Sequence, residues 1–596
     1  MYLKWLSIWC HGVIMEHTIL EVKGMAYFLK KSHYKKGVYL QIYESFYDPE
    51  RKQTVHKSYR AIGYCHELQE KGIDDPIRHF SEEVDALNRE RKRNKEPVRE
   101  ITDESPERCL GYFPFKNVHD AMSVKRYLDL LQTQTDFPFN VFSMFSSLVY
   151  ARLVQPCSKR KTFHDVWPRL WETDPASLTQ LYEGIAFLGD NYEKILEIYA
   201  HEVSRVFGYK TEQTYFDCTN FYFEIDREDE FRRKGPEKNN RRDPIVGLGL
   251  LLDANQVPLG MKMFPGNQSE VPVIRHVLSD LKQQHHIKGK TIRVADKGLN
   301  CAENIHHAIQ HGDGYIHSKS IAKLPKTEKE WVLLTDGYKQ VLDTNDKVKY
   351  FIKSCVAEFI YEYKDTSGVK QRFTVTEKRV VTLNPKLRTK KIAEIKKQVN
   401  KVKNLCLSQA KRKEYGDAAK YVNFEAIDEQ GLTTDNRIEA ALNQEAILQD
   451  IELAGFNLIV TSEIDMTPLD IYDAYHNLWR IEESFKVMKS QLDARPVYLQ
   501  KQNTIIGHFL ICYVAVLLLR LLQIHVFKNH YASEAIMDFA RGFRLVNISP
   551  NKFINITKHA PFIDALAEKT GLPVKSYFLN NGQIKNMLNN RFKLKK

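Results

Sequence analysis

The stretch Thr467–Leu492, TPLDIYDAYHNLWRIEESFKVMKSQL, restricts the fold more than any other part of the chain. It opens with a helix start: Thr467 as N-cap, Pro468 in the first helical position, and Asp470 completing a weak capping box. Apolar residues recur at Ile471, Ala474, Leu478, Ile481, Phe485, Met488 and Leu492. Steps of three and four predict a helix of about seven turns with one buried face. Tyr475, Glu482 and Lys489 run along the flank of that stripe at intervals of seven. A carboxylate there faces inward or sits at a rim, where it takes a partner such as a metal ion. A Glu–Lys ladder on a half-exposed helix would use the same residues.

The 596 residues leave room for about three or four domains. Hydrophobic content of 43% is enough for real cores, and a net charge of +13 suits a polyanionic partner. Nine scattered cysteines without a CxxC pair argue against a disulfide framework and a zinc site, and for a reducing cytoplasm. Residues 1–24 read as a leader with an apolar run but no cleavage site, and Met15 and Met25 are alternative starts. A second apolar run, Ile505–Leu522, carries His508 and Arg520 and is barely long enough to span a bilayer. It is expected to be a buried core helix, with no membrane association.

Residues 25–107 are expected to form a basic β module and a linker helix. AYFLKK, GVYLQIYESFYD and HKSYRAIGY alternate like strands, with Lys30, Lys31, Lys35, Lys36, Arg51, Lys52, Lys57 and Arg60 interleaved. Such a module suits a phosphate backbone, and solvated strand faces look the same. Residues 118–208 read as a helical domain, broken by the basic loop Pro156–Lys161.

The pattern then switches. TYFDCTNFYFEI (214–225) alternates, with Tyr215, Asp217, Thr219, Phe221 and Phe223 on one face. An aspartate in line with aromatics needs a cation or a donor. The basic loop 232–243 follows, holding Lys238, Arg241 and Arg242, and then a hairpin turning at Ala254–Gln256. A helix at 270–284 leads to the strand TIRVAD, which ends in Asp296; a further helix and the strand GYIHS follow. The order is β-β-β-α-β-α-β, expected for residues 209–320. Residues 321–454 read as a β-rich insertion with strands at Trp331–Leu334, Lys339–Leu342, Val348–Lys353, Val356–Tyr363 and Gln371–Val375. Residues 455–530 return to the core, and 531–596 read as a helical basic tail.

That order, with acids on the first strand and at the tip of the fourth, resembles the ribonuclease H-like fold. The fold class implied is α/β: a ribonuclease H-like core interrupted by a β-rich insertion, with helical and small β regions ahead of it. The stretch Tyr475-x2-Leu478-x3-Glu482-x6-Lys489 is similar to the Y-x2-R-x3-E-x6-K signature of bacterial insertion-sequence transposases of the DDE class. YFDCTNFYFE, GLGLLLDANQVPLGMKMFPGN and VADKG extend the likeness over roughly 140–530. One position departs: Leu478 stands where the signature has arginine. Arg480 lies about 200° around the helix from it and does not replace it.

The resemblance implies that Asp217, Asp296 and Glu482 bind two Mg²⁺ ions, with Mn²⁺ as a substitute, for DNA cleavage and strand transfer. It implies that Tyr475 and Lys489 contact phosphates near the cleaved end. Lys238, Arg241 and Arg242 become strand-guiding cations, and Trp331 and Trp479 candidates for stacking on a flipped base; core packing is the favoured reading for both tryptophans. The expected partners are double-stranded DNA, at element ends and target, and a second copy of the chain on that DNA. The expected setting is the bacterial nucleoid. A ribonuclease H-like nuclease, or an inactive repeat-binding protein, would share these features.

Overall fold

The computed structural model describes residues 27–48, 53–95, 105–171, 173–235, 243–284, 290–365, 367–407, 412–426, 438–590 and 592. The chain divides into two compact units, Met1–Asp103 and Glu104–Lys596, where length alone suggested three or four. The leader lies outside the described residues.

The first unit is an antiparallel sheet of β1 (Tyr27–Tyr34), β2 (Gly37–Asp48) and β3 (Gln53–Tyr64), in the order β1-β2-β3. Helices Cys65–Glu70 and Pro76–Lys95 follow. Alternation along β2 sends Leu40 inward to a small core with Leu68 and Phe80. Arg60 pairs with Glu83 of the second helix at 2.7 Å. The other parity carries aromatic side chains. Phe28 lies opposite Tyr43, and Tyr39 opposite Tyr64 with ring centroids 4.9 Å apart. The Lys30 ammonium lies 4.6 Å from the Tyr43 ring.

In the second unit β4 (Glu107–Cys109) pairs with Arg544–Val546 near the other end of the chain. Helices Phe113–Asp120, Val124–Gln132, Val141–Val154, Leu178–Asp190 and Tyr192–Val206 follow, close to the expected helical segments. Then come β5 (Gln213–Tyr222), β6 (Ile245–Leu252), β7 (Pro258–Pro265), helix Glu270–Gln284, β8 (Ile292–Ala295), helix Ala302–Gln310 and β9 (Gly314–Lys319). This is the expected β-β-β-α-β-α-β order. β5, β6 and β7 form an antiparallel meander, while β8 runs parallel to both β5 and β9.

Alternation along β5 serves two cores. Tyr215 and Phe221 join the main cluster with the helix Gln502–Leu521. Phe216 and Cys218 join a second cluster under the helix Glu270–Gln284. The glycines of the β6 run GLG make room for rings: a Cβ at Gly249 would meet the Phe216 ring, and one at Gly247 the Phe264 ring.

The insertion does not stand apart from this sheet. β10 (Lys339–Leu342), β11 (Val348–Lys364) and β12 (Lys370–Leu383) extend it. Beyond the helix Pro385–Leu407, β13 (Val422–Ala426) and β14 (Ile438–Leu442) make a separate pair. β15 (Phe456–Thr461) closes the gap, giving nine strands in the order β10-β11-β12-β15-β9-β8-β5-β6-β7. Two expectations are corrected. Trp331–Leu334 is no strand but closes the helix Lys326–Leu333, whose last carbonyls accept from the Lys353 ammonium, with 2.6 Å to the Leu334 oxygen. Val348–Lys353 and Val356–Tyr363 are one continuous strand, because the long pairing with β12 carries through the residues between them.

Gln502–Leu521 is the central helix of the unit, and the described residues hold this one helix long and apolar enough to cross a membrane. From Thr504 onward every residue is buried in protein, as expected of a core helix. A Cβ at Gly507 would meet the Ile185 carbonyl oxygen, and one at Gly189 the Asn503 carbonyl, so glycine lets these two helices close up. The tail is not purely helical. Helices Ser533–Gly542, Pro561–Thr570 and Asn581–Asn589 alternate with β16 (Arg544–Ser549), β17 (Lys552–Asn555) and β18 (Phe578–Leu579). These strands complete a four-stranded sheet with β4, a pairing invisible to local pattern.

Candidate active site

The register of β5 and β8 fixes the first two acids. Tyr215 pairs with Val294, and continuing the parallel register by two residues sets Asp217 level with Asp296. Neighbouring strands lie about 4.8 Å apart, so a register continued that far would bring the two carboxylates to the same height. Asp217 is half-buried in mid-strand and accepts from the Cys218 N–H at 2.8 Å. Asp296 is exposed, just past the end of β8.

The third acid arrives on a helix that differs from expectation. Thr467 caps Pro468–His476, accepting from the Asp470 N–H at 3.1 Å. The helix stops there, and a tight turn at Asn477–Leu478 starts a second one, Trp479–Lys486, which ends in a wider π-type turn, Val487–Gln491. Tyr475, Glu482 and Lys489 therefore stand on three pieces rather than one straight line. The first piece packs against β8 and β9, the second against β5.

The pieces nevertheless bring Tyr475 to Asp296 and Lys489 to the strand of Asp217. The Tyr475 hydroxyl donates to Asp296 Oδ1 at 3.1 Å. Burial pushes the Tyr475 pKa up, and the charges of Asp296 and Glu482 push it further, so both carboxylates act on one phenol. Lys489 donates to the Thr219 hydroxyl, two residues along β5 from Asp217 on the same face, and its ammonium lies 5.3 Å from the Phe221 ring.

Two adjacent glutamates meet different surroundings. Glu482 is exposed. Glu483 is tied inward, accepting from Arg520 Nη2 at 3.1 Å and from Ser533 Oγ at 2.8 Å. Arg520 is 1% exposed, so this pair locks the Glu482 helix to the central helix. Sequence reasoning saw Arg520 only as a flaw in an apolar run; its role as the glutamate's anchor depends on a contact across thirty-seven positions.

Leu478, at the signature arginine position, is buried in the main cluster. Arg480 keeps its guanidinium 5.1 Å from the exposed Trp479 ring. Trp331 is half-buried against the cluster under β11 and β12, with the Lys353 ammonium 5.0 Å from its ring. Lys238, Arg241 and Arg242 lie outside the described residues.

Among the described residues, no three His, Cys, Asp or Glu side chains converge closely enough to enclose a metal ion. Asp217, Asp296 and Glu482 do carry carboxylate oxygens, the donor type a hard divalent cation takes. The parallel pairing of β5 with β8 ends two residues short of the two aspartates, and the Glu482 helix packs on β5.

Residues 216–518, which include all three acids, match the transposase DDE domain. No curated protein matches the chain. Among solved structures it is similar to a piggyBac transposase synaptic complex with hairpin DNA, at 9% identity over 73% of this chain and 79% of that one, with a TM-score of 0.36. The domain match spans just over half of the sequence, and the chain belongs to the DDE-domain transposase family.

Proposed function

We propose that this protein is a cut-and-paste transposase that binds the terminal inverted repeats of its own insertion sequence and moves that element. In this reading Asp217, Asp296 and Glu482 are its catalytic, metal-binding acids. The observations that carry it are the parallel pairing of β5 with β8, which runs to Tyr215 and Val294 just short of Asp217 and Asp296, the Tyr475 hydroxyl donating to Asp296, and the Glu482 helix packed on β5. The strand order β9-β8-β5-β6-β7 supports a ribonuclease H-like core, and the Y-x2-L-x3-E-x6-K spacing supports the bacterial insertion-sequence branch.

The three carboxylates would hold two Mg²⁺ or Mn²⁺ ions. When bound, these supply an activated water or 3′-hydroxyl and stabilise charge on the leaving oxygen. The protein's own groups position the strand. The raised pKa of Tyr475 keeps its hydroxyl protonated, so it acts as a donor, to Asp296 at rest and to a phosphate oxygen once DNA is seated. Lys489 supplies a point charge beside Asp217 for a neighbouring phosphate. Trp479, exposed on the Glu482 helix, is better placed for stacking than the half-buried Trp331. Lys238, Arg241 and Arg242 are assigned to strand guiding on charge alone. The aromatic, lysine-bearing side of the first unit's sheet supports a DNA contact there. A dimer would pair the two element ends on the bacterial nucleoid.

The test is cleavage of a labelled duplex carrying the element's terminal repeat, comparing wild type with Asp217→Ala, Asp296→Ala and Glu482→Gln. Cutting at the repeat boundary should be lost in each variant while DNA binding persists. Cutting that survives Glu482→Gln would remove that residue from the site.

A further inference from the structure

A cavity of about 560 Å³ opens between the basic loop after the helix Val141–Val154 and the segment that follows Leu492. Arg152, Lys159 and His508 line it, and they are only 5%, 6% and 5% exposed. None is among the three acids, Tyr475 or Lys489, and the assignment below does not rest on the cleavage reading.

Among the described residues, neither Arg152 nor Lys159 pairs with a carboxylate. Arg152 donates only to the Leu492 carbonyl oxygen, at 3.4 Å. His508 Nε2 lies 3.3 Å from the Ala494 carbonyl oxygen, while its Nδ1 is buried with no hydrogen-bond partner. Among the described residues, the one carboxylate in the cavity wall, Asp493, is exposed to solvent. Burial, then the neighbouring Arg152, pulls the Lys159 pKa down to about 7. Burial, then Lys159 and Arg152, pulls that of His508 well below its usual value. Three nitrogen bases crowd one cavity, Arg152 disfavours the charge of the other two, and among the described residues no carboxylate pairs with any of them. Buried cations without a counterion are costly, and the missing partner is an anion with several acceptor oxygens.

We propose that this cavity is a phosphate-binding pocket, in which Arg152, Lys159 and His508 hold one phosphate group of a DNA strand. Arg160 is exposed at the mouth, and Tyr182 and Tyr498, 36% and 71% exposed, flank it. A backbone running over the loop would thus meet a cation before reaching the pocket. A free phosphate or nucleotide shares the same chemistry, and the experiment separates the two sources.

Thermal unfolding of the full chain is followed against inorganic phosphate, with chloride at matched ionic strength as the control. Wild type should show a saturable rise in Tm specific to phosphate. Lys159→Met should unfold at a higher temperature than wild type without phosphate, because an apolar chain replaces an unpaired buried cation. It should also bind phosphate about ten-fold more weakly or worse. A purely structural lysine would give the reverse: a lower Tm and an intact phosphate response. His508→Gln, which keeps the ring's volume and one donor, provides a second variant with a partial loss.

DNA affinity is then measured against salt for wild type and Lys159→Met. A log–log slope reduced by about 0.9, one phosphate's worth, places a strand in the pocket. An unchanged slope with a lost phosphate response overturns the DNA assignment in favour of a free phosphate or nucleotide. A wild-type protein with no phosphate-specific rise, or variants that respond as wild type does, overturns the pocket itself.

Discussion

Glu482 and Glu483 are chemically alike, adjacent in sequence, and set in opposite surroundings. Spacing by seven from Tyr475 and Lys489 singled out Glu482, and the structure leaves it exposed while Glu483 holds Arg520. Removing the charge of Glu483 strands a buried guanidinium and should cost about 3 kcal/mol of stability. Glu482→Gln should change stability by no more than about 0.5 kcal/mol. Urea unfolding of the two variants checks this, and equal midpoints would refute the division of roles. The residue pattern could flag Glu482 because helical period is local. It could not flag the Tyr475–Asp296 hydrogen bond, which joins positions 179 apart.

Among elements, strands were the most legible in the sequence. β6, β7, β9 and the helix Glu270–Gln284 fall where alternation, the turn at Ala254–Gln256 and helical spacing set them. The Glu482 segment was misread as one helix. Apolar steps of three and four continue across Asn477–Leu478, so the period conceals the tight turn. That turn puts Leu478 in the core, which accounts for an apolar residue at a position where relatives are expected to carry arginine. Leu478→Arg should therefore not restore a missing function. It should bury an unpaired charge and cost about 3 kcal/mol, read as a fall in Tm with no gain in cleavage. The insertion was legible as strands but not as sheet, since which edge β12 would join, β15 as it proves, is a long-range choice.

Across the whole molecule, the helical layer and the sheet share one core built on the central helix, and buried histidines make that core sensitive to acid. His119 is fully buried between the Tyr150 and Tyr199 hydroxyls, at 2.9 and 2.8 Å. Burial, then Lys116, lowers its pKa from 6.5 to about 3. Its folded form binds protons less readily than its unfolded form, so its contribution is present above pH 6.5 and is lost as pH falls towards 3. His119→Gln should flatten the fall in urea midpoint between neutrality and about pH 5; an unchanged fall would assign the sensitivity to other groups. His317, similarly buried and lowered to about 3, and His508, lowered well below its usual value, would both contribute to what remains.

The central claim is that Asp217, on β5, and Asp296, just past the end of β8, hold metal together with Glu482. The most direct measurement is strand cleavage by Asp217→Cys and Asp296→Cys in Mg²⁺ and in Mn²⁺. A thiolate is a poor ligand for Mg²⁺ and a better one for Mn²⁺. The predicted result is that both variants are inactive in Mg²⁺ and recover cleavage in Mn²⁺, while the alanine variants recover in neither. Cysteine variants that cut equally well in both metals, or alanine variants rescued as fully as cysteine, would contradict the claim.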